Sequence, residues 1–217
     1  MPEMTACRAC KSKNLYMFLP LGDHPPANAF VTPQQAAAGP QPAFPLDVSV
    51  CLDCGVVEVP DMLPPDFFQD YHYVPSASAT MHAHFADFAR LVAARHGGPD
   101  ALVVDIGAND GLFLKACKDI GLRTLGVEPA ANIAAIARSK GLEIVNEYFG
   151  DGMAARVRAT YGAASVITTT NTFNHIDDLH GFMRGVDVLL QDGGTFIVEV
   201  PQALELVEKN EFDTVYH

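Results

Sequence analysis

The residues best suited to binding a ligand lie within 101–114, A-L-V-V-D-I-G-A-N-D-G-L-F-L. A β-rich stretch ends near Asp105, a turn bounded by Gly107 and Gly111 follows, and an apolar pattern of helical period begins at Leu112. In a parallel sheet, this order delivers a nucleotide-like cofactor to the N-terminus of a helix. Glycines in such a turn either leave space that a β-carbon would take from the ligand or adopt backbone angles that other residues avoid. The run therefore predicts a cofactor site.

A second acid indicates which kind of cofactor this is. Residues 122–127 predict the next strand, and Glu128 and Pro129 follow it. Glu128 lies 17 residues after Gly111, close to the roughly 20 expected between a glycine turn and the carboxylate that binds ribose hydroxyls. A carboxylate can accept both hydrogen bonds of a vicinal diol. The Gly-x-x-x-Gly spacing differs from the dinucleotide fingerprint and suits S-adenosylmethionine-dependent methyltransferases better.

Four cysteines predict a metal site. Cys7 and Cys10 form one Cys-x-x-Cys pair, Cys51 and Cys54 form another, and 40 residues separate the pairs. Two such pairs can present four thiolates around Zn²⁺, and a site closed by four protein ligands is structural rather than catalytic. The alternatives are two disulfides, disfavoured because residues 1–14 lack a secretory apolar region, and a redox pair, disfavoured by position. We therefore expect structural Zn²⁺.

Composition limits the classes of partner. The chain has 217 residues, almost half of them apolar, and a formal net charge of −12. The length fits one ordinary domain and a small one. The acidic balance disfavours nucleic acid and anionic membranes, and no apolar run reaches the length of a membrane span. We expect a cytoplasmic enzyme with a small-molecule substrate, and the oligomeric state stays open.

The order of predicted elements indicates an α/β fold with a Rossmann-like, doubly wound parallel sheet, preceded by a small zinc-binding module with four cysteine ligands. We expect a zinc module over 1–60, a bridging segment with substrate-facing aromatics over 61–78, and a cofactor-binding core over 79–217. The predicted strands are 101–106, 122–128, 143–147, 165–170 and 195–200, and the predicted helices are 79–96, 111–120, 130–140, 153–160 and 178–190. Because no strand is predicted after 200, the fifth strand would be partly uncovered, and we expect this chain to be a fragment of a longer protein.

The combined motifs are similar to those of sugar C-methyltransferases that act on nucleotide-linked deoxysugars. The resemblance covers essentially the whole chain and rests on the four cysteines, Tyr71-x-Tyr73 with Ser76 and Ser78, D-I-G-A-N-D-G, G-V-E-P, N-T-F-N-H-I-D-D-L and F-D-T-V-Y-H. It implies a zinc module, a class I methyltransferase core and a C-terminal third domain. Family members continue from Tyr-His into Glu-His, whose histidine is their base, and this chain ends before that point.

The resemblance implies a substrate, a nucleotide-linked keto-deoxysugar, and a set of acting residues. Methyl transfer to carbon needs a base to remove the proton beside the ketone and donors to stabilise the enolate oxygen. His175, after the predicted fourth strand, would lie near the sugar, where it would bind the sugar or shuttle protons; a structural loop histidine is the alternative. Tyr71, Tyr73 and Tyr216 would donate to the keto oxygen or orient it.

The expected cofactor contacts are as follows. Backbone around Gly107 and Gly111 faces the methionine portion, with Asp105 and Asn109 nearby. Glu128 holds the ribose and Phe149 lines the adenine. Asn171 borders the methionine or the methyl group. His82 and His84 are not a metal pair, because residues two apart on a helix point in different directions.

Three functions remain open from the sequence. The first is a C-methyltransferase of nucleotide-linked keto-deoxysugars. The second is a non-catalytic, zinc-anchored fragment that binds cofactor but lacks the base. The third is an O- or N-methyltransferase of another small molecule, disfavoured because cofactor binding alone does not require the zinc pairs or Tyr71-x-Tyr73.

Overall fold

The structure is a computed structural model that describes residues 4–60, 63–69, 71–98, 100–211 and 215. It contains two compact units. The first comprises Met1–Pro65, Asp177–Leu179 and Pro201–His217, and the second comprises Asp66–Ile176 and His180–Val200. Among the described residues, no helix is both long enough and apolar enough to cross a membrane.

The first unit is built from short strands around the cysteines. Its elements are β1 (Leu15–Leu19), β2 (Asp23–His24), α1 (Pro33–Ala38), β3 (Phe44–Pro45), β4 (Val48–Cys51), β5 (Val57–Glu58) and α7 (Ala203–Lys209). Strand β4 lies between β1 and β5 in an antiparallel sheet, and β2 pairs with β3. Helix α1 begins with a capping box in which Thr32 and Gln35 satisfy each other's backbone N–H groups.

The second unit is a five-stranded parallel sheet with helices on both faces, as the sequence predicts. Its elements are α2 (Ala79–His96), β6 (Leu102–Ile106), α3 (Leu112–Asp119), β7 (Arg123–Val127), α4 (Ala131–Ser139), β8 (Ile144–Val145), α5 (Asp151–Tyr161), β9 (Ala164–Thr170), α6 (Leu179–Leu189) and β10 (Leu190–Glu199). The strand order is β10-β9-β6-β7-β8, and each neighbouring pair is parallel. The order reverses beside β6, so the topological switch point lies next to the glycine turn.

Helices cover both faces of this sheet, whose central strand β6 is apolar except for Asp105. Every residue of β6 is buried, as expected for a parallel strand covered on two sides. On one face, α5 and α6 pack through residues such as Val157 and Phe182. On the other face, α2 and α3 pack through residues such as Phe85 and Phe113. This layering fixes the carboxyl ends of all five strands at one edge.

The largest difference from the predicted elements is in the fifth strand. Strand β10 begins at Leu190, five residues before the predicted start, and its pairing with β9 is irregular between Leu190 and Thr195. Glycines and polar residues are uncommon inside strands, so the sequence of residues 190–194 does not predict one. The regular pairing of β10 with β9 covers only residues within the predicted strand. Within the described residues β10 is an edge strand, with Val198 39% exposed.

Candidate functional site

The four cysteines of the first unit converge on one point. Their sulfur atoms all lie within 4.8 Å of one another, and the shortest separations are 3.5 Å for Cys10 to Cys51 and 3.7 Å for Cys7 to Cys54. Tetrahedral Zn²⁺ with Zn–S bonds of about 2.3 Å places its sulfur ligands about 3.8 Å apart. The donor set and its spacing therefore fit Zn²⁺, whose role here would be to join the two cysteine pairs.

The two cysteine pairs have the same backbone geometry. The N–H of Lys11 donates to the carbonyl of Cys7, and the N–H of Gly55 donates to the carbonyl of Cys51. Lys11 and Gly55 each lie four residues after the first cysteine of a pair, and both have positive φ angles, 63° and 78°. Gly55 takes this conformation without strain, whereas Lys11 adopts it against its preference. The turns present both cysteines of each pair on the same side.

Polar contacts hold the two pairs together from outside the sulfur cluster. Asp53 accepts hydrogen bonds from the Ser12 hydroxyl at 2.6 Å and from the Asn14 amide at 2.8 Å. Arg8 forms an ion pair with the buried Glu58 at 3.1 Å and donates to the carbonyls of Val59 and Pro60. The site is therefore partly organised by the protein alone, which lowers the entropic cost of metal binding.

In the second unit, the glycine turn has the geometry that only glycine tolerates. Gly107 and Gly111 have φ angles of 76° and 78°. A β-carbon added at Gly107 would lie 2.1 Å from the Thr172 hydroxyl oxygen, and one added at Gly111 would lie 2.1 Å from a Leu142 methyl carbon. The backbone angle and close protein packing, rather than space for a ligand, require both glycines.

Glu128 and Asn109 contact each other at the carboxyl edge of the sheet. One Glu128 carboxylate oxygen accepts from the Asn109 backbone N–H and the other from the Ala130 N–H, both at 2.8 Å. Burial raises the pKa of Glu128, and these two hydrogen bonds act against that rise. Each oxygen retains a further lone pair for a ribose hydroxyl. The Asn146 amide donates to the carbonyls of Glu128 and Pro129, a support that the sequence reasoning missed.

A half-buried lysine, Lys140, also contacts the glycine turn. Lys140 donates to the Asp110 carboxylate at 2.7 Å and to its carbonyl at 2.9 Å. Asp110 is fully buried, so the ion pair compensates a charge that would otherwise be costly to bury. Lys140 follows α4, far from the turn in sequence, and no local pattern points to this contact.

Asp105 is the fourth residue of β6, and its expected place beside the methionine portion of the cofactor stays a prediction. Its side chain is 2% exposed, and it accepts a hydrogen bond from the Thr168 hydroxyl at 2.7 Å. Burial raises the pKa of Asp105 to about 7, the Thr168 hydrogen bond opposes the rise, and the charges of Glu128 and Glu199 add to it. Asp105 supports the strand from which the turn leaves.

Residues 71–84 contact residues at or after the carboxyl ends of three strands, β6, β7 and β10. The Asn132 amide, at the start of α4, pairs with both the N–H and the carbonyl of Tyr71, at 3.2 and 2.7 Å. The Asn109 amide donates to the Tyr73 carbonyl at 3.1 Å. Further along, His84 contacts Glu199, the last residue of β10, at 2.8 Å. The predicted bridging segment is therefore attached to the glycine turn through Asn109.

An aromatic cluster brings two of the predicted catalytic residues together. The Phe68 ring lies 5.6 Å from the His175 ring and 5.8 Å from the Tyr71 ring, measured between centroids. His175 belongs to a 3-10 turn, Phe173–His175, directly after β9. Phe68 was not identified from the sequence, although its neighbours Phe67 and Tyr71 carry the same aromatic signal. Tyr73 is 47% exposed.

The remaining predicted site residues have different environments. Asn171 follows β9 with a φ angle of 52°, and its N–H donates to the Glu199 carbonyl. The Phe149 ring lies 5.0 Å from Phe182 of α6 and packs against the core, so its contact with adenine remains a prediction. Tyr216 lies outside the described residues. Cys117 is buried, as expected for a small apolar side chain.

Comparison with known proteins identifies two family models. Residues 79–216 match a model described as "Methyltransferase domain", and residues 7–68 match one described as "Putative zinc binding domain". The first match covers most of the second unit's elements and more than half of the chain.

The chain is 33% identical over 213 residues to C-methyltransferase NovU of Streptomyces niveus, which covers 97% of this chain and 50% of that protein. It is 27% identical over 109 residues to a ubiquinone biosynthesis O-methyltransferase of Xanthomonas campestris, covering 49% of this chain and 46% of that protein. The chain thus spans about half the length of the curated relatives it matches.

A solved structure with a similar fold is CalS10, an amino pentose methyltransferase from Micromonospora echinaspora. It is 18% identical in sequence, with a TM-score of 0.46 over 61% of this chain and 58% of that one.

Proposed function

The chain belongs to the methyltransferase family whose domain model it matches, and on that premise we propose that it transfers the methyl group of S-adenosylmethionine to carbon. The proposed acceptor is a keto-deoxysugar linked to a nucleoside diphosphate. The observation that carries the cofactor assignment is the Glu128 carboxylate, which two backbone N–H groups hold at the edge beside the glycine turn. When bound, the cofactor supplies an electrophilic methyl group on a sulfonium.

The proposed cofactor contacts follow from the positions of the edge residues. Glu128 accepts from the ribose hydroxyls, and the backbone from Gly107 to Gly111 faces the methionine portion. Asn109 connects these contacts to the bridging segment. Its backbone N–H donates to Glu128, and its side-chain amide donates to the carbonyl of Tyr73. The four cysteines hold Zn²⁺ in a structural role.

The choice of carbon as the acceptor atom is supported by the match to C-methyltransferase NovU, which extends over 97% of this chain and includes the cysteine module. Methyl transfer to carbon requires that a base first remove a proton beside a ketone. The enolate carbon then forms the new bond to the methyl group, and the electron pair of the broken bond to sulfur remains on sulfur. His175 and Tyr71, both in contact with Phe68, are proposed to bind the keto-sugar and shuttle its proton.

One observation favours a second function. The match to the ubiquinone biosynthesis O-methyltransferase over 109 residues supports methylation of oxygen as the alternative. That match covers 49% of this chain, so more than half of the chain has no counterpart in it.

The experiment that separates the two functions is proton exchange in deuterated water. The protein is incubated with a nucleoside-diphosphate 4-keto-6-deoxyhexose and S-adenosylhomocysteine, and the sugar is examined by proton NMR. Enolate chemistry predicts enzyme-dependent loss of the proton beside the ketone, and methyl-labelled cofactor then places its label on carbon. A label found on oxygen, with no exchange, would contradict the proposal.

A further inference from the structure

The side chain of Asn174 has no hydrogen-bond partner although its polar atoms are buried. Both Oδ1 and Nδ2 are inaccessible to solvent, and neither has a partner among the described residues. A buried amide without partners destabilises a folded protein, because it gives up hydrogen bonds to water without replacing them. Such a group in a native protein points to a ligand or to a trapped water molecule.

Asn174 lies in the part of the edge where the cofactor turn and the aromatic cluster meet. Two residues earlier, the Thr172 side chain packs against Gly107. One residue later, the His175 ring contacts Phe68. Phe173, between Thr172 and Asn174, packs into the core against Phe182 with ring centroids 5.4 Å apart. Phe173 therefore packs into the core, whereas Thr172 and His175 make contacts at the edge. The Asn174 amide between them has no hydrogen-bond partner among the described residues.

The chemistry of an amide limits which ligand it fits. A carboxamide presents a donor, Nδ2, and an acceptor, Oδ1, side by side on one carbon, and both are unused here. The ribose hydroxyls of the cofactor are already matched by the Glu128 carboxylate in the proposed function. A keto-sugar offers the complementary pair, a carbonyl oxygen that accepts beside a hydroxyl that donates.

We propose that Asn174 is a specificity-determining residue for the methyl acceptor, donating from Nδ2 to its keto oxygen and accepting at Oδ1 from a neighbouring hydroxyl. This inference rests on the proposed function. The donor also stabilises the enolate oxygen, because negative charge on that oxygen strengthens the hydrogen bond. The unpaired amide of the ligand-free protein is then a cost in stability that the acceptor removes on binding.

The first test is the stability of the ligand-free chain. Asn174→Leu replaces the unpaired amide by an apolar group of similar size, so we expect the Tm to rise by about 2–4 °C. Asn132→Leu is the matched control, since the Asn132 amide is fully paired with Tyr71, and its Tm should fall. Asn174→Ala, which cannot overpack the site, repeats the measurement.

The second test is calorimetric titration of the same variants. S-Adenosylhomocysteine should bind Asn174→Leu within about twofold of its affinity for the wild type. A nucleoside-diphosphate 4-keto-6-deoxyhexose, titrated into the chain saturated with S-adenosylhomocysteine, should bind at least about tenfold more weakly to Asn174→Leu and Asn174→Ala than to the wild type. Loss of a hydrogen bond to the keto oxygen in a buried site produces an effect of this order.

Each contrary result overturns the proposal in a distinguishable way. A fall in Tm for both Asn174 variants would mean that the amide has a partner such as a buried water. A loss of S-adenosylhomocysteine affinity of about fivefold or more would assign the amide to the cofactor. Unchanged keto-sugar affinity in the variants would remove the specificity role. Failure of the wild type itself to bind the keto-sugar would instead refute the proposed function.

Discussion

The buried carboxyl of Asp105 predicts how stability depends on pH. Its pKa of about 7 in the folded chain lies above the value of about 3.9 expected for an unfolded chain. Between these values the folded state binds a proton that the unfolded state has released, so the free energy of unfolding falls as the pH rises. The stabilisation that this proton gives is fully present below about pH 4 and is lost above about pH 7.

The size of this effect follows from the shift in pKa. A shift of about three pKa units corresponds to a limit of about 4 kcal/mol, of which roughly 2–3 kcal/mol falls between about pH 5 and pH 8. Asp105→Asn keeps a neutral group of the same shape beside Thr168 and removes the ionisation. We therefore expect the free energy of unfolding of Asp105→Asn, relative to the wild type, to increase by roughly 2–3 kcal/mol across this range.

The assay is urea unfolding followed by far-ultraviolet circular dichroism, at half-unit steps from about pH 5 to pH 8. Asp187→Asn, an exposed carboxyl on α6 of the same unit, is the matched control and should leave the pH profile unchanged. A constant difference between Asp105→Asn and the wild type across the range would refute the reasoning, because it would mean that Asp105 ionises in the folded chain as freely as in the unfolded one.

The other predictions concern the metal and the two sides of the edge. Atomic absorption should find one Zn²⁺ per chain, and removing it with a chelator should lower Tm; a metal-free chain of unchanged Tm would exclude a structural Zn²⁺. Glu128→Gln should weaken S-adenosylhomocysteine binding by about 1–3 kcal/mol, because one charged acceptor is lost, whereas Asn146→Ala, which leaves the carboxylate intact, should have a smaller effect; equal losses in calorimetry would assign the effect to the turn. His175→Asn should slow proton exchange of the keto-sugar while S-adenosylhomocysteine affinity stays within about twofold; a fall in that affinity would place His175 on the cofactor side.

The fold was predictable because its signals are local. Residues 102–106 form a buried, largely apolar run, and positive-φ glycines follow it at positions where other residues are strained. The spacing from Gly111 to Glu128 reflects the length of one helix and the strand after it, which brings Glu128 to the same edge as the glycine turn. The two Cys-x-x-Cys pairs likewise carry their geometry in their spacing.

The missed features depend on contacts between residues distant in sequence. No short sequence pattern predicts the hydrogen bonds between Tyr71 and Asn132 or the ion pair between Lys140 and Asp110. Asp105 shows the same dependence, because its buried carboxylate accepts a hydrogen bond from Thr168 on the neighbouring strand β9, and no local pattern indicates that contact.

We propose that the edge beside Gly107 and Glu128 binds S-adenosylmethionine. Calorimetric titration of this chain with S-adenosylhomocysteine, with a nicotinamide dinucleotide as the control ligand, tests this proposal. We expect micromolar binding of S-adenosylhomocysteine and no binding of the dinucleotide. A folded chain that binds the dinucleotide in preference, or binds neither ligand, would contradict it.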